Sequence, residues 1–132
     1  MSRDNVETMR SLYKAAVDGD LGLFSALLID DAAEYVNPDG ALESGIRQGR
    51  SEFQEAIRKL NSFDYSRIDV ERLEAVGDRV VAVLDVQGRG RDSGAPFRNR
   101  MGHVVTFRDG RIVRFQWFLD PAEALEAVGL SE

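Results

Sequence analysis

Two side chains able to move protons interrupt apolar stretches of this chain. His103 is the only histidine and lies in a largely apolar stretch, between Met101 and Val105. Its ordinary pKa of about 6.5 lets it give or take a proton near neutral pH. Asp85 follows the run Val80-Val81-Ala82-Val83-Leu84 and precedes Val86. A carboxylate among buried neighbours is costly unless paired, and burial raises its pKa toward the range of a general acid or base. The two residue types together predict acid/base catalysis without a cofactor: isomerisation, cyclisation, dehydration or epoxide hydrolysis. Each also has a plainer reading. His103 is then a core histidine bonded to Gln116 or a neighbour, and Asp85 an ion-pair partner of Arg89, Arg98 or Arg100 or a solvent-exposed acid beyond the barrel rim. The loop from Arg91 to Pro96 leaves the register between the two segments open.

The segment that must position His103 runs from Phe97 to Asp120. Asp109-Gly110 between alternating apolar runs predicts a hairpin with a two-residue turn. Such a turn sets the register. It puts Phe107 opposite Ile112, Val105 opposite Arg114, His103 opposite Gln116, Met101 opposite Phe118 and Asn99 opposite Asp120. These share one face, a few polar groups in an apolar wall, as a small-molecule pocket requires. Met101, Gln116, Phe118 and Asp120 are therefore expected to contact a ligand beside His103. The opposite face would carry Val104, Thr106, Val113, Phe115, Trp117 and Leu119. So large an apolar face is unusual on a monomer. A homodimer packed through Val104, Val113, Phe115 and Trp117 is expected.

Helices precede the strands. Val6, Met9, Leu12, Tyr13, Ala16 and Val17 recur at helical spacing, with Asp4 and Glu7 as a capping pair and Gly19 as a stop. Asp20 can cap a second short helix burying Leu23, Phe24, Leu27 and Leu28. A short extended piece from Glu34 ends in the turn Asn37-Pro38-Asp39-Gly40, and a loop passes through Gly45 and Gly49. Ser51 and Gln54 read as a capping box for a third helix with the stripe Phe53, Ala56, Ile57 and Leu60. Strands begin near Tyr65. A phase change near Glu71-Arg72 predicts a bulge, and Gly77-Asp78 a tight turn. Asp120-Pro121-Ala122-Glu123 opens a last helix, with Asp120 as its natural cap. Helices, then four long antiparallel strands, then a helix make an α+β fold. Residues 1–132 are expected to form one domain.

Composition excludes several classes of function. The net charge of −6 argues against a nucleic-acid binder. With no cysteine and one histidine, thiolate and multi-histidine metal sites cannot form within one chain. No dinucleotide or phosphate-loop motif is present, so no cofactor is expected. No apolar run approaches the ~20 residues of a membrane span. No apolar signal core opens the chain, and a cytoplasmic location is expected.

Several stretches carry a family resemblance. They are Tyr13-Lys14-Ala15-Ala16 with Gly19-Asp20-Leu21, Asp30-Asp31-Ala32 through Asn37-Pro38, Gly45 to Gly49, and Phe107-Arg108-Asp109-Gly110-Arg111-Ile112 through Phe118-Leu119-Asp120. Over nearly its whole length the chain resembles the nuclear transport factor 2-like (NTF2-like) superfamily, which includes ketosteroid isomerase and the SnoaL-like polyketide cyclases. The resemblance implies a curved sheet wrapped around a long helix, a cone with a pocket at its open end, and a dimer. It places Tyr13 where ketosteroid isomerase has a tyrosine oxyanion donor and His103 where it has a second donor. Asn37 stands where that enzyme has its general base, and an amide cannot abstract a proton. Asp85 and Asp120 are the acids to weigh for a cyclase-like pattern. Tyr13, His103 and Asp85 are thus the expected catalytic set, and Asn37 and Phe53 join the expected ligand contacts. The expected function is binding, with acid/base chemistry, of a small, largely apolar molecule. A non-catalytic binding or dimeric interaction module is the alternative.

Overall fold

The computed structural model describes residues 2–22, 28–41 and 44–131. Within them lie three helices, α1 (Ser2–Asp18), α2 (Arg50–Leu60) and α3 (Pro121–Ala127). Six strands form one sheet: β1 (Ile29–Asn37), β2 (Gly45–Gln48), β3 (Phe63–Val76), β4 (Arg79–Gly90), β5 (Pro96–Arg108) and β6 (Arg111–Phe118). Their order is β2-β1-β6-β5-β4-β3. Only β1 and β6 pair in parallel. The architecture is the expected α+β one, a curved, unclosed sheet with helices against it. No helix among the described residues is long and apolar enough to cross a membrane.

The local signals act where they stand. The helical stripe Met9, Leu12 and Tyr13 is buried against the sheet, and Gly19 ends α1 in a left-handed conformation, φ 83°. Asp109 and Gly110 both take positive φ, 54° and 78°, as a hairpin turn that follows the strand twist requires. The β3–β4 register shifts at Glu71, where the phase change was expected, and also at Ser66. Asp120 caps α3, its Oδ1 accepting from the Ala122 amide at 2.9 Å.

Three local expectations need correction. Helix α1 begins at Ser2, so Asp4 lies in its first turn and not at the N-cap position. Gly45–Gln48 is no loop; it pairs antiparallel with β1. Helix α2 starts at Arg50 with Gly49 as its cap and no side-chain capping bond, so Ser51 and Gln54 form no capping box. The expected short helix after Asp20 falls largely on residues 23–27, outside the described residues.

Strand β4 explains its own unbroken apolar run. Val80, Ala82, Leu84 and Val86 face the main core with α1 and α2. Val81 and Val83 face outward and are covered by Ala124, Leu125 and Val128 around α3. Both faces of the strand are therefore dry until α3 ends. Gly102 on β5 marks how close α3 lies: a Cβ there would collide with the Ala124 Cβ. Gly102→Ala should accordingly destabilise the protein by about 1–3 kcal/mol. The double variant with Ala124→Gly should recover part of that loss, as read from urea unfolding.

Candidate functional site

The decisive geometry arises on β6. Phe107 pairs with Ile112 as expected, but Thr106 pairs with Arg114, so Val113 is an extra residue on its strand. A bulge of one residue exchanges the two faces of everything beyond it. His103 therefore lies opposite Trp117, Val105 opposite Phe115, and Val104 opposite Gln116. Phe115 and Trp117 turn inward to the face of His103. Val104 stays outside under α3. The four residues expected to form an apolar dimer face thus do not form one.

The inner face, α1 and α2 enclose a cavity of about 160 Å³. A cavity of this size accepts one benzene-sized molecule. Its wall is largely aliphatic and aromatic, from residues such as Leu12, Ile68, Leu84, Met101, Phe115 and Trp117. Its titratable lining groups are His103 and three tyrosines, Tyr13, Tyr35 and Tyr65. No carboxylate or basic side chain joins them among the described residues.

Tyr13 reaches from α1 to β5, and its hydroxyl lies 2.9 Å from His103 Nδ1. The two rings stack at 5.7 Å, and the imidazole leans on Phe115 at 4.7 Å. Burial pushes the Tyr13 hydroxyl far above its usual range and His103 down to about 3. Both groups are neutral at physiological pH. The direction of the bond follows from what each atom can do. If the imidazole donated from Nδ1, the Tyr13 proton would be left without an acceptor in a buried place, which is costly. On this ground Tyr13 is assigned as the donor to Nδ1, with the imidazole proton on Nε2. That Nε2 has no partner among the described residues. Every sealed side-chain nitrogen and oxygen among them is paired. The Nε2–H therefore borders open space, and His103 lines the cavity.

Asp85 is not part of this arrangement. It occupies the outer face of β4, between the cavity-facing Leu84 and Val86, beyond the cover of α3. Arg98 grips it with two bonds of 3.2 and 2.8 Å and holds its carboxyl below the usual range. The hydrogen bonds from Arg98 outweigh the raising effect of burial, and the His103–Asp85 pair does not exist. Neighbouring ion pairs, Arg100 with Glu71 and Arg67 with Asp69, extend this charged outer surface. Arg98 and Arg100 are thus engaged with carboxylates on that surface.

The remaining expected contacts divide. Met101 lines the cavity. Phe53 is 1% exposed and packs behind it, edge-on to Tyr35 and Phe115. Asn37 does not line the cavity; its Oδ1 accepts from the Trp117 indole at 2.7 Å and so steadies a wall residue. Gln116, Phe118 and Asp120 line a separate cleft with Pro38, Asp39 and Glu123. The bulge turns Gln116 and Phe118 away from His103. Tyr35 and Tyr65 are wall residues the sequence reading missed. Tyr35 was legible in principle, since Ala33 and Tyr35 alternate as buried positions along β1. No group of three or more possible metal ligands occurs among the described residues.

Comparison with known proteins gives the lineage. The SnoaL-like domain model matches residues 9–115. The chain belongs to the SnoaL-like domain family. Solved structures with this fold include a Bacillus subtilis protein provisionally called an isomerase, with 20% identity, TM-score 0.74, and 98% of this chain and 97% of that one covered. An NTF2-like protein of unknown function from Burkholderia pseudomallei shares 22% identity, TM-score 0.73, with 98% and 99% covered. A protein of ketosteroid isomerase-like fold from Catenulispora acidiphila, solved with trimethylamine, shares 18% identity, TM-score 0.66, with 94% and 93% covered. At these identities the SnoaL-like likeness establishes the fold. No curated protein matches the chain.

The depressed His103 pKa has a definite sign in stability. Between pH 6.5 and about 3 the unfolded chain takes a proton on His103 that the folded chain refuses, so acid favours unfolding. Relative to His103→Phe, the wild type should lose stability as pH falls through this window, by on the order of 4 kcal/mol. The difference between the two proteins should be flat above pH 7. Asp85→Asn should leave that difference unchanged. Urea unfolding at stepped pH checks both.

Proposed function

We propose that this SnoaL-like protein binds one small, uncharged, largely apolar molecule, held by a hydrogen bond from His103 Nε2–H to a carbonyl or similar acceptor. The observation that carries this reading is the Tyr13–His103 pair, a neutral donor in an apolar cavity lined by no carboxylate among the described residues. Tyr13 occupies the Nδ1 lone pair, so the imidazole is a poor base and a well-oriented donor. The apolar wall disfavours charged ligands, because no carboxylate, lysine or arginine lines it among the described residues. The cavity volume favours a ligand of about one six-membered ring over a steroid.

This favours binding over proton abstraction, since catalysis by deprotonation would need a base that the described wall does not offer. A neutral imidazole could polarise a bound carbonyl, but the partner base would have to come from elsewhere.

Trp117 is the only tryptophan and lines the cavity, so its emission reports occupancy. Cyclohexanone should bind about fivefold to tenfold more tightly than cyclohexane, the worth of one neutral hydrogen bond. His103→Phe should erase that preference. Cyclohexylammonium and cyclohexanecarboxylate should leave the emission unchanged. Binding of either ion as tightly as the ketone would contradict the proposal.

A further inference from the structure

A second polar atom in the cavity is unaccounted for by a ligand with a single acceptor. Tyr35 is only 6% exposed, and its ring is fixed between Phe115, stacked at 5.6 Å, and Phe53, edge-on at 5.3 Å. Its hydroxyl has no hydrogen-bond partner among the described residues; its electrostatic neighbours are Tyr65 and Arg47. Sealed polar side-chain atoms are all paired there, so this hydroxyl also borders open space. The space that Tyr35 lines is the cavity. The other cavity tyrosines are satisfied: Tyr13 donates to His103, and Tyr65 donates to the Leu60 carbonyl at 3.2 Å. A hydroxyl held in place by two clamping rings, with no protein partner among the described residues and beside an apolar cavity, is available to a group placed there.

We infer that the cavity takes an uncharged ring compound with two polar functions: an acceptor, such as a ketone, for His103 Nε2–H and a hydroxyl or second oxygen for the Tyr35 hydroxyl. Phe115 touches both His103 and Tyr35, at 4.7 and 5.6 Å. The two polar atoms thus belong to residues flanking one aromatic wall, and the apolar body of the ligand would lie over that wall. The ligand class is a small hydroxyketone, diketone or hydroxylactone and not a simple hydrocarbon or monoketone. This inference rests on the proposed reading of the cavity as a binding site for a neutral molecule.

The test uses cyclohexanone and its 2-, 3- and 4-hydroxy derivatives on the whole protein, followed by Trp117 emission. An added hydroxyl costs affinity in an apolar wall and gains it only if paired, so the comparison has two opposite outcomes. At least one hydroxyketone should bind about fivefold or more tightly than cyclohexanone. Tyr35→Phe should remove that gain, read as the ratio of hydroxyketone to cyclohexanone affinity within each protein. If cyclohexanone binds but every hydroxy derivative binds more weakly, the inference fails and the simpler binding site stands. The same follows if the gain survives Tyr35→Phe. If neither cyclohexanone nor any hydroxy derivative alters Trp117, the binding-site reading fails, and the inference with it. The wild-type series alone decides the matter should Tyr35→Phe fold poorly.

Discussion

One extra residue on β6 decides which side chains meet around His103. Strand pairing has a period of two, so the insertion of Val113 into the ladder moves Phe115 and Trp117 from one face to the other. Phe115 then supports the imidazole and stacks on Tyr35, and Trp117 closes the wall with its indole held by Asn37. On the other face, Gln116 and Phe118 are left to line the cleft beside the Asp120 cap of α3. Without the bulge the cavity would carry an amide where it now carries an indole.

The walls that result keep Tyr13 and His103 neutral. Dry surroundings raise the cost of every charge, so the tyrosine keeps its proton and the histidine declines a second one. The charges of the central strands are placed on the opposite side of the sheet. Asp85 is one residue from Leu84, yet it lies in a lattice of exposed ion pairs with Arg98 beside it. Such pairs contribute little stability each, but they keep this surface wet. One strand thus divides an apolar interior from a charged exterior, and α3 covers only the outward residues that would otherwise remain apolar.

Much of the fold was legible because the signals are local. The Asp109-Gly110 and Gly77-Asp78 turns, the stripe of α1, the α3 cap and the phase change at Glu71 each depend on a few adjacent residues. The site was less so. Val113 sits among Ile112 and Arg114 with no glycine to mark a bulge, and its insertion is decided by how β6 lies between β5 and β1. The position of Asp85 depended on strand parity across a loop, which no local pattern reveals. Strand β2 is short and exposed, so it lacks the alternation that betrays a half-buried strand. Tyr13 and His103 were brought forward by family resemblance, whereas their direct bond and its direction are properties of packing.

The central claim is that His103 is a neutral donor whose Nδ1 is occupied by Tyr13. Nitrogen-15 NMR of the imidazole tests it most directly, because one histidine gives one unambiguous pair of resonances. The account predicts a protonated Nε2 and an unprotonated, hydrogen-bonded Nδ1 at pH 7, unchanged down to pH 5. A proton on Nδ1, or an imidazolium forming near pH 6.5, would contradict it.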